Sequence, residues 1–329
     1  MFDRICAQLS LGELTTLPLR LHGGYTHRMF RLTTTQGDYA VKLLNPEIMQ
    51  RQDAMGNYHT AEGFEALLEA EYLPILPAKV IHGRKMHCVE GQYLYVFDYF
   101  DGRVLKDEEI TPAHCAKMGA VLARIHGVEP LSHPQEGSQS PGSESSPGGR
   151  AFWHELAEAL ISADDAKTEG YALRTAAPML TRLTAAAEAA NCRLPRLTAL
   201  CHNDMDPKNV LWQGEDFRII DLECLGLADP RQELLDLAVA WSGGREEPFK
   251  AFVSAYAAQG GTLPTDAASV YDNRRNYLDW LAYNAKRALF DDPEERRIAR
   301  EQIIWSLEKI RQDVQQRGMI LRWMAQVKA

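Results

Sequence analysis

Residues 201–223, CHNDMDPKNVLWQGEDFRIIDLE, decide the architecture. A loop bearing His202, Asp204 and Asn209 leads into an apolar run at 210–213 and a polar connection through Gly214. A second apolar run at 217–220 delivers Asp221 at its end. Two short β-prone runs joined by a glycine-containing polar link predict a hairpin. The hairpin folds the chain back, so the loop before it and the acid after it face one cavity. A carboxylate (Asp204), an amide (Asn209) and a second carboxylate (Asp221) then converge. Phosphoryl transfer requires such a set: an acid that orients an attacking hydroxyl and takes its proton, and hard oxygen ligands for Mg2+.

The run His202-Asn203-Asp204-Met205-Asp206-Pro207-Lys208-Asn209 is similar to the protein-kinase catalytic loop H-R-D-L-x-x-x-N, and Asp221-Leu222-Glu223 stands where D-F-G would follow. The departures are informative. Asn203 replaces the arginine, Asp206 stands where protein kinases usually carry lysine, and no A-P-E follows. Instead the chain continues Asp229-Pro230-Arg231-Gln232-Glu233-Leu234-Leu235-Asp236-Leu237-Ala238. This order of H-x-D-x-x-x-x-N, D-x-E and D-L-A resembles the aminoglycoside phosphotransferase and choline kinase family of small-molecule kinases.

The resemblance implies an α+β, bilobal protein-kinase-like fold. An N-terminal nucleotide-binding lobe at 1–100 would hold a five-stranded antiparallel sheet with one helix. A mainly helical lobe at 101–329 would carry catalysis and the acceptor. It further implies ATP- and Mg2+-dependent transfer of the γ-phosphoryl group to a hydroxyl of a small molecule. Asp204 would be the catalytic acid–base group, Asn209 and Asp221 the metal ligands. Glu223 would assist a second metal or pair with a neighbour. His202 and Asp236 would be structural, Asp236 anchoring the backbone of the catalytic loop, because a carboxylate in so apolar a run as ELLDLAVAW needs a partner.

The remaining sequence fits this outline. With 329 residues, 45% hydrophobic and 25% charged, the chain suits a two-lobed globular enzyme. A net charge of −9 argues against nucleic acid, which demands a basic face, and is compatible with a cationic acceptor. The six cysteines are scattered with no C-x-x-C pair, so reduced and mostly buried thiols are expected. No stretch approaches the length of a membrane span, and MFDRICAQLS lacks the pattern of a secretion signal, so a cytoplasmic location is expected.

Residues 15–44 predict a β-meander with turns at Gly23-Gly24 and Gly37. Glycines let backbone amides approach a phosphate with no Cβ in the way. Tyr39-Ala40-Val41-Lys42 resembles the kinase V-A-I-K strand, which makes Lys42 the phosphate-holding lysine. Its helix-borne partner would come from 60–72, where Glu62, Glu65 and Glu69 compete and Glu62 is preferred; Thr60 is a plausible cap. The β-prone run 92–100 makes Asp98 to Phe100 candidates for the adenine-binding hinge by resemblance.

Thr111 and Pro112 start a helix that closes near Gly127. Residues 132–149 contain no aliphatic or aromatic side chain and are expected to be a mobile insertion. Helices are expected at 152–161, 172–190, 233–241, 249–258 and 270–288, with a last one around 303–314 closed by Gly318. Glu247, Asp272 and Asp279 are candidate acceptor contacts by resemblance. Competing functions are a protein kinase, which Asn203, Asp206 and the missing A-P-E oppose, and a catalytically silent pseudokinase scaffold, which the intact Lys42, Asp204, Asn209 and Asp221 oppose. A metallohydrolase would need a second histidine at ligand spacing.

Overall fold

The computed structural model describes residues 1–21, 27–129, 149–163 and 165–327. The Gly23-Gly24 turn and nearly all of the 132–149 insertion lie outside the described residues. The chain forms two compact units. One comprises Met1–Ile110, Arg124–Ser138 and Ala199–Ala228, the other Thr111–Ala123, Gln139–Thr198 and Asp229–Ala329.

In the first unit, β1 (Leu19–Leu21), β2 (Arg28–Thr34), β3 (Gly37–Leu43), β4 (His87–Val89) and β5 (Gln92–Asp98) form the expected five-stranded antiparallel sheet, in the order β1-β2-β3-β5-β4. Side chains alternate between the faces of a strand. Tyr39, Val41 and Leu43 of β3 therefore join Leu94 and Val96 of β5 on one face. That face is closed by Ile5 and Cys6 of α1 (Phe2–Gln8) together with Leu9. Lys42 is consequently turned to the other face, beside its cross-strand partner Tyr95. Tyr95 meets Tyr58 of the long helix there, with ring centroids 6.1 Å apart.

The single helix expected in this region is thus joined by α1 and by the short α2 (Pro46–Met49). The long helix α3 (Ala54–Ala70) also begins before Thr60. Ala54, Tyr58 and Ala61 are buried and extend its apolar face towards the N-terminus, and the Thr60 hydroxyl donates to the Gly56 carbonyl at 3.0 Å instead of capping.

The decisive stretch folds as expected. β7 (Val210–Gln213) and β8 (Asp216–Ile219) pair antiparallel around Gly214, whose φ of +61° suits a residue without Cβ. β6 (Ala199–Cys201) pairs β9 (Gly226–Ala228), bracketing the hairpin and its flanking loops. Both free edges of the hairpin are secured. Arg103 and Trp212 exchange backbone hydrogen bonds of 2.9 and 2.8 Å on the β7 side, and Leu76 N donates to Ile219 O at 2.8 Å on the β8 side.

The second unit is helical among the described residues. It contains α4 (Pro112–His126, all but its last turn), α5 (Arg150–Ser162), α6 (Lys167–Arg193), α7 (Pro230–Ser242), α8 (Glu246–Ala258), α9 (Ala267–Asp272), α10 (Asn276–Arg287) and α11 (Pro293–Val327). Thr111 caps α4 by accepting from His114 N at 3.4 Å. Trp153, Leu160, Leu173, Leu180, Leu281, Ile303 and Leu307 share one core. The helix expected over 270–288 is broken between α9 and α10, because the turn sends the Arg274 side chain inward to acids on α7 and α11. Gly318 does not end α11. Its downstream residues Ile320, Trp323 and Met324 are buried, and that packing outweighs the roughly 1 kcal/mol that a helical glycine costs.

None of the six cysteines forms a disulfide. Cys6, Cys115 and Cys201 are buried while Cys88 and Cys192 are exposed, so fewer are interior than expected. Among the described residues no helix is long and apolar enough to cross a membrane.

Two glycines give opposite expectations. A Cβ on Gly119 of α4 would lie 2.1 Å from the Phe252 carbonyl oxygen of α8, whereas one on Gly63 of α3 would meet no atom within 4 Å. Gly119→Ala should lower stability by about 1–3 kcal/mol. Gly63→Ala should raise it by up to ~1 kcal/mol through helix propensity. Urea midpoints at unchanged m-value check both.

Candidate active site

The site is built within the first unit. Lys42 is 8% exposed, and a buried ammonium requires compensating charge. It finds two carboxylates: Nζ lies 2.6 Å from Asp221 Oδ1 and 2.5 Å from Glu223 Oε2. Burial alone would lower the Lys42 pKa, but the two anions raise it above its ordinary value and keep the ammonium charged. Burial likewise opposes ionisation of Glu223, yet Lys42 and His27 outweigh it and hold this carboxyl well below the usual range.

None of the α3 glutamates supplies the Lys42 partner. Glu62 instead accepts from the Tyr95 hydroxyl at 2.9 Å, and Glu65 and Glu69 both bind Lys85, at 2.7 and 2.9 Å. The lysine's partner is on the D-x-E segment. Glu65 is also held by the Ala78 backbone N–H at 2.7 Å, which makes it a structural fixture of the α3 exit.

Asp221 adopts the left-handed conformation (φ +65°, ψ +54°) between β8 and the 3-10 turn Leu222–Cys224. Asn203 has the same φ of +65° on the 202–209 loop. Asparagine and aspartate tolerate this region better than other side chains. Asn203 Nδ2 donates to the Cys224 carbonyl at 2.8 Å, tying the 202–209 loop to the D-x-E segment. The position that departs from the protein-kinase arginine therefore has its own role as a loop staple.

The loop presents Asp204 in a defined orientation. Asn209 Nδ2 donates to Asp204 Oδ2 and to its backbone oxygen, both at 2.8 Å, and Lys208 Nζ lies 2.8 Å from Asp204 Oδ1. His202 is fully buried, and its Nδ1 accepts from the Asp204 N–H at 3.3 Å, fixing the backbone beneath the acid. Burial pushes the Asp204 carboxyl up to about 6, with Asp206 and Asp221 acting in the same sense and Lys208 against it. A carboxylate so placed is a stronger base than a solvated one.

The donor set fits a hard divalent cation. Asn209 spends both amide hydrogens on Asp204, which leaves its carbonyl oxygen Oδ1 as a ligand. Asp221 gives Oδ1 to Lys42, which leaves Oδ2. An amide oxygen and a carboxylate oxygen are the ligand types that Mg2+ prefers.

The other predicted residues are placed as follows. Asp98 closes β5 and pairs with Lys79 at 2.6 Å, and Phe100 lies beneath the Arg218 guanidinium at 5.2 Å. Asp236 belongs to the second unit, where it pairs with Arg274, whose side chain is 5% exposed and also meets Asp313 at 2.9 Å. Among the acceptor candidates, Glu247 and Asp279 are exposed, and Asp272 is engaged by Arg317 through two bonds of 2.6 and 2.7 Å. His27, Tyr58, Asn203 and Lys208 were missed. Only Lys208 carried a signal, its placement four residues after Asp204 on one short loop.

Similarity to known proteins agrees with this geometry. The sequence model of the phosphotransferase enzyme family matches residues 19–277. No curated protein matches the chain. A spectinomycin phosphotransferase solved with ADP and spectinomycin superposes with TM-score 0.71 at 15% identity, covering 92% of this chain and 95% of that one. A choline/ethanolamine kinase family protein from Mesorhizobium loti gives TM-score 0.63 at 20% identity, covering 99% and 98%. An amicoumacin kinase with AMP-PNP and Ca2+ gives 0.62 at 13%, covering 93% and 92%. At these identities the likeness establishes the kinase-like fold.

Two measurements probe this arrangement. Carbon-13 NMR should find the Asp204 carboxyl titrating near 6, and Lys208→Met should move its midpoint higher, since the ammonium opposes the shift. Because the folded pKa exceeds the ordinary carboxyl value, stability tied to this group is present below pH ~4 and declines as pH rises through about 6. Asp236→Ala leaves the buried Arg274 with Asp313 alone, and urea unfolding should show a loss of about 2–3 kcal/mol. Adding Arg274→Met should recover part of it.

Proposed function

Because the chain belongs to the phosphotransferase enzyme family, we propose that it transfers the γ-phosphoryl group of ATP to a hydroxyl of a small molecule. The observation that carries this reading is the Asp204 carboxylate, held by Asn209 and Lys208 in the same unit as the Lys42–Asp221 pair.

Residues 1–100 bind the nucleotide, with the Asp98 to Phe100 segment as the adenine hinge, and residues 101–329 bring the catalytic groups and the acceptor. The Lys42 ammonium holds phosphate oxygens. Asp204 orients the acceptor hydroxyl and takes its proton on a carboxylate oxygen as the oxygen–phosphorus bond forms and the bond to the ADP oxygen breaks. The products are a phosphate ester and ADP. Asn209 and Asp221 hold Mg2+, which supplies neutralisation of the phosphate charge. Positioning and electrostatics carry the rate, since such a transfer leaves little covalent chemistry for the protein to do.

The acceptor is an aminoglycoside-, choline- or amino-alcohol-like compound. The superposed proteins are a spectinomycin phosphotransferase, a choline/ethanolamine kinase family protein and an amicoumacin kinase. A net charge of −9 is compatible with a cationic acceptor.

Two isosteric substitutions separate the roles. Asp204→Asn should leave affinity for an ATP analogue with Mg2+ nearly unchanged while cutting turnover by about 10²-fold or more. Asp221→Asn should weaken metal-dependent nucleotide binding as well as turnover. Calorimetric titration with a non-hydrolysable analogue reads the difference. Equal loss of affinity in both variants would reverse the assignment, and full turnover in Asp204→Asn would refute the mechanism.

A further inference from the structure

We infer that His27 is a positioning residue for the nucleotide-binding lysine, acting through Glu223, and that Glu223 serves as the anchor of Lys42. The inference rests on the phosphotransferase reading and goes beyond it by naming what fixes the lysine.

The geometry assigns the histidine's protons. His27 is 8% exposed and immediately precedes β2. Its Nδ1 accepts a hydrogen bond from the Asn45 backbone N–H at 3.0 Å. A nitrogen that accepts cannot also carry a proton, so in the neutral ring the proton lies on Nε2. That nitrogen is 3.0 Å from Glu223 Oε1 and 3.2 Å from the Tyr58 hydroxyl. Backbone on one side thus fixes the tautomer that donates to a carboxylate on the other.

Glu223 is thereby divided between two donors, Oε1 receiving His27 and Oε2 receiving Lys42 at 2.5 Å. A lysine ammonium sits on a flexible four-carbon stem and is a precise ligand only when something fixes it. In this chain the α3 glutamates are spent on Tyr95 and Lys85. The fixing therefore comes from the D-x-E segment, from Asp221 and Glu223 together, and the orientation of Glu223 comes from a histidine 196 residues away in sequence. A ligand group held in place before binding loses less freedom when the phosphate arrives.

The test uses two substitutions that dissect the ring. His27→Asn keeps an acceptor near the Nδ1 position but cannot reach Glu223. His27→Gln places an amide donor near the Nε2 position. Affinity for ATP is measured by calorimetry in EDTA, so the readout does not depend on metal or turnover, and KM for ATP and kcat are measured separately with Mg2+. His27→Asn should weaken metal-free ATP binding and raise KM by about tenfold, the scale of one hydrogen bond to a charged group, with a smaller change in kcat. His27→Gln should stay within about twofold of the parent.

The inference is overturned if His27→Asn binds like the parent, or if His27→Gln is as impaired as His27→Asn. Should His27→Asn fail to fold, Glu223→Gln tests the same anchor from its other end: a loss of about tenfold supports it, unchanged affinity overturns it. Lys42→Ala is the control for the underlying reading. If it weakens metal-free ATP binding while His27→Asn does not, only the role of His27 falls. If it too binds like the parent, the lysine's assignment to the phosphates fails first.

Discussion

A buried ammonium is the constraint from which the rest of the site follows. The strand register turns Lys42 to the face opposite Val41 and Leu43, where it is nearly out of solvent. Such a charge is tolerated only with well-placed anions. Both come from one short segment, Asp221 and Glu223. The requirement of one lysine thus dictates where that segment must lie, and with it the hairpin that precedes it and the loop that bears Asp204. The left-handed residues Asn203 and Asp221 mark where the backbone bends to meet this demand.

The hairpin answers the demand mechanically. Its two strands take hydrogen bonds from Arg103 on one edge and from the segment around Leu76 on the other. The loop carrying Asp204, the turn carrying Asn209 and the segment carrying Asp221 are therefore parts of a single braced element. Asp204 then receives its orientation from immediate neighbours in sequence, Asn209, Lys208 and the imidazole of His202.

Much of this is legible in the sequence, and the reasons differ by residue. Strand alternation in the run Tyr39 to Leu43 placed Lys42 opposite the core, and the Gly214 turn between two β-prone runs gave the hairpin, because both signals are local. The hairpin also led to the expectation that Asp204, Asn209 and Asp221 share one site, and Asn209 is bonded to Asp204. The partner of Lys42 was not legible. Glu62, Glu65 and Glu69 offer the same chemistry as Glu223, and only the fold decides which carboxylate is near. His27 gave no sign at all, since its partners are the Asn45 backbone, the Tyr58 hydroxyl and the single acid Glu223, all distant in sequence. The limits of α3 and α11 were missed for a similar reason. Thr60 and Gly318 are competent punctuation locally, and tertiary burial on either side overrides them.

In the second unit, one guanidinium joins three separate pieces of chain. Arg274, in the break between α9 and α10, contacts Asp236 on α7 and Asp313 on α11, and lies over the Tyr271 ring of α9 at 4.5 Å. Tyr271 itself donates to Asp313 at 2.8 Å. Separating any one of these helices strands a buried charge, a penalty of several kcal/mol set against the few tenths that ordinarily govern fraying. The C-terminal half of α11 therefore lacks the independence of a terminal helix. Its opening is linked to that of α7, and amide exchange in the two should follow a common cooperative unit.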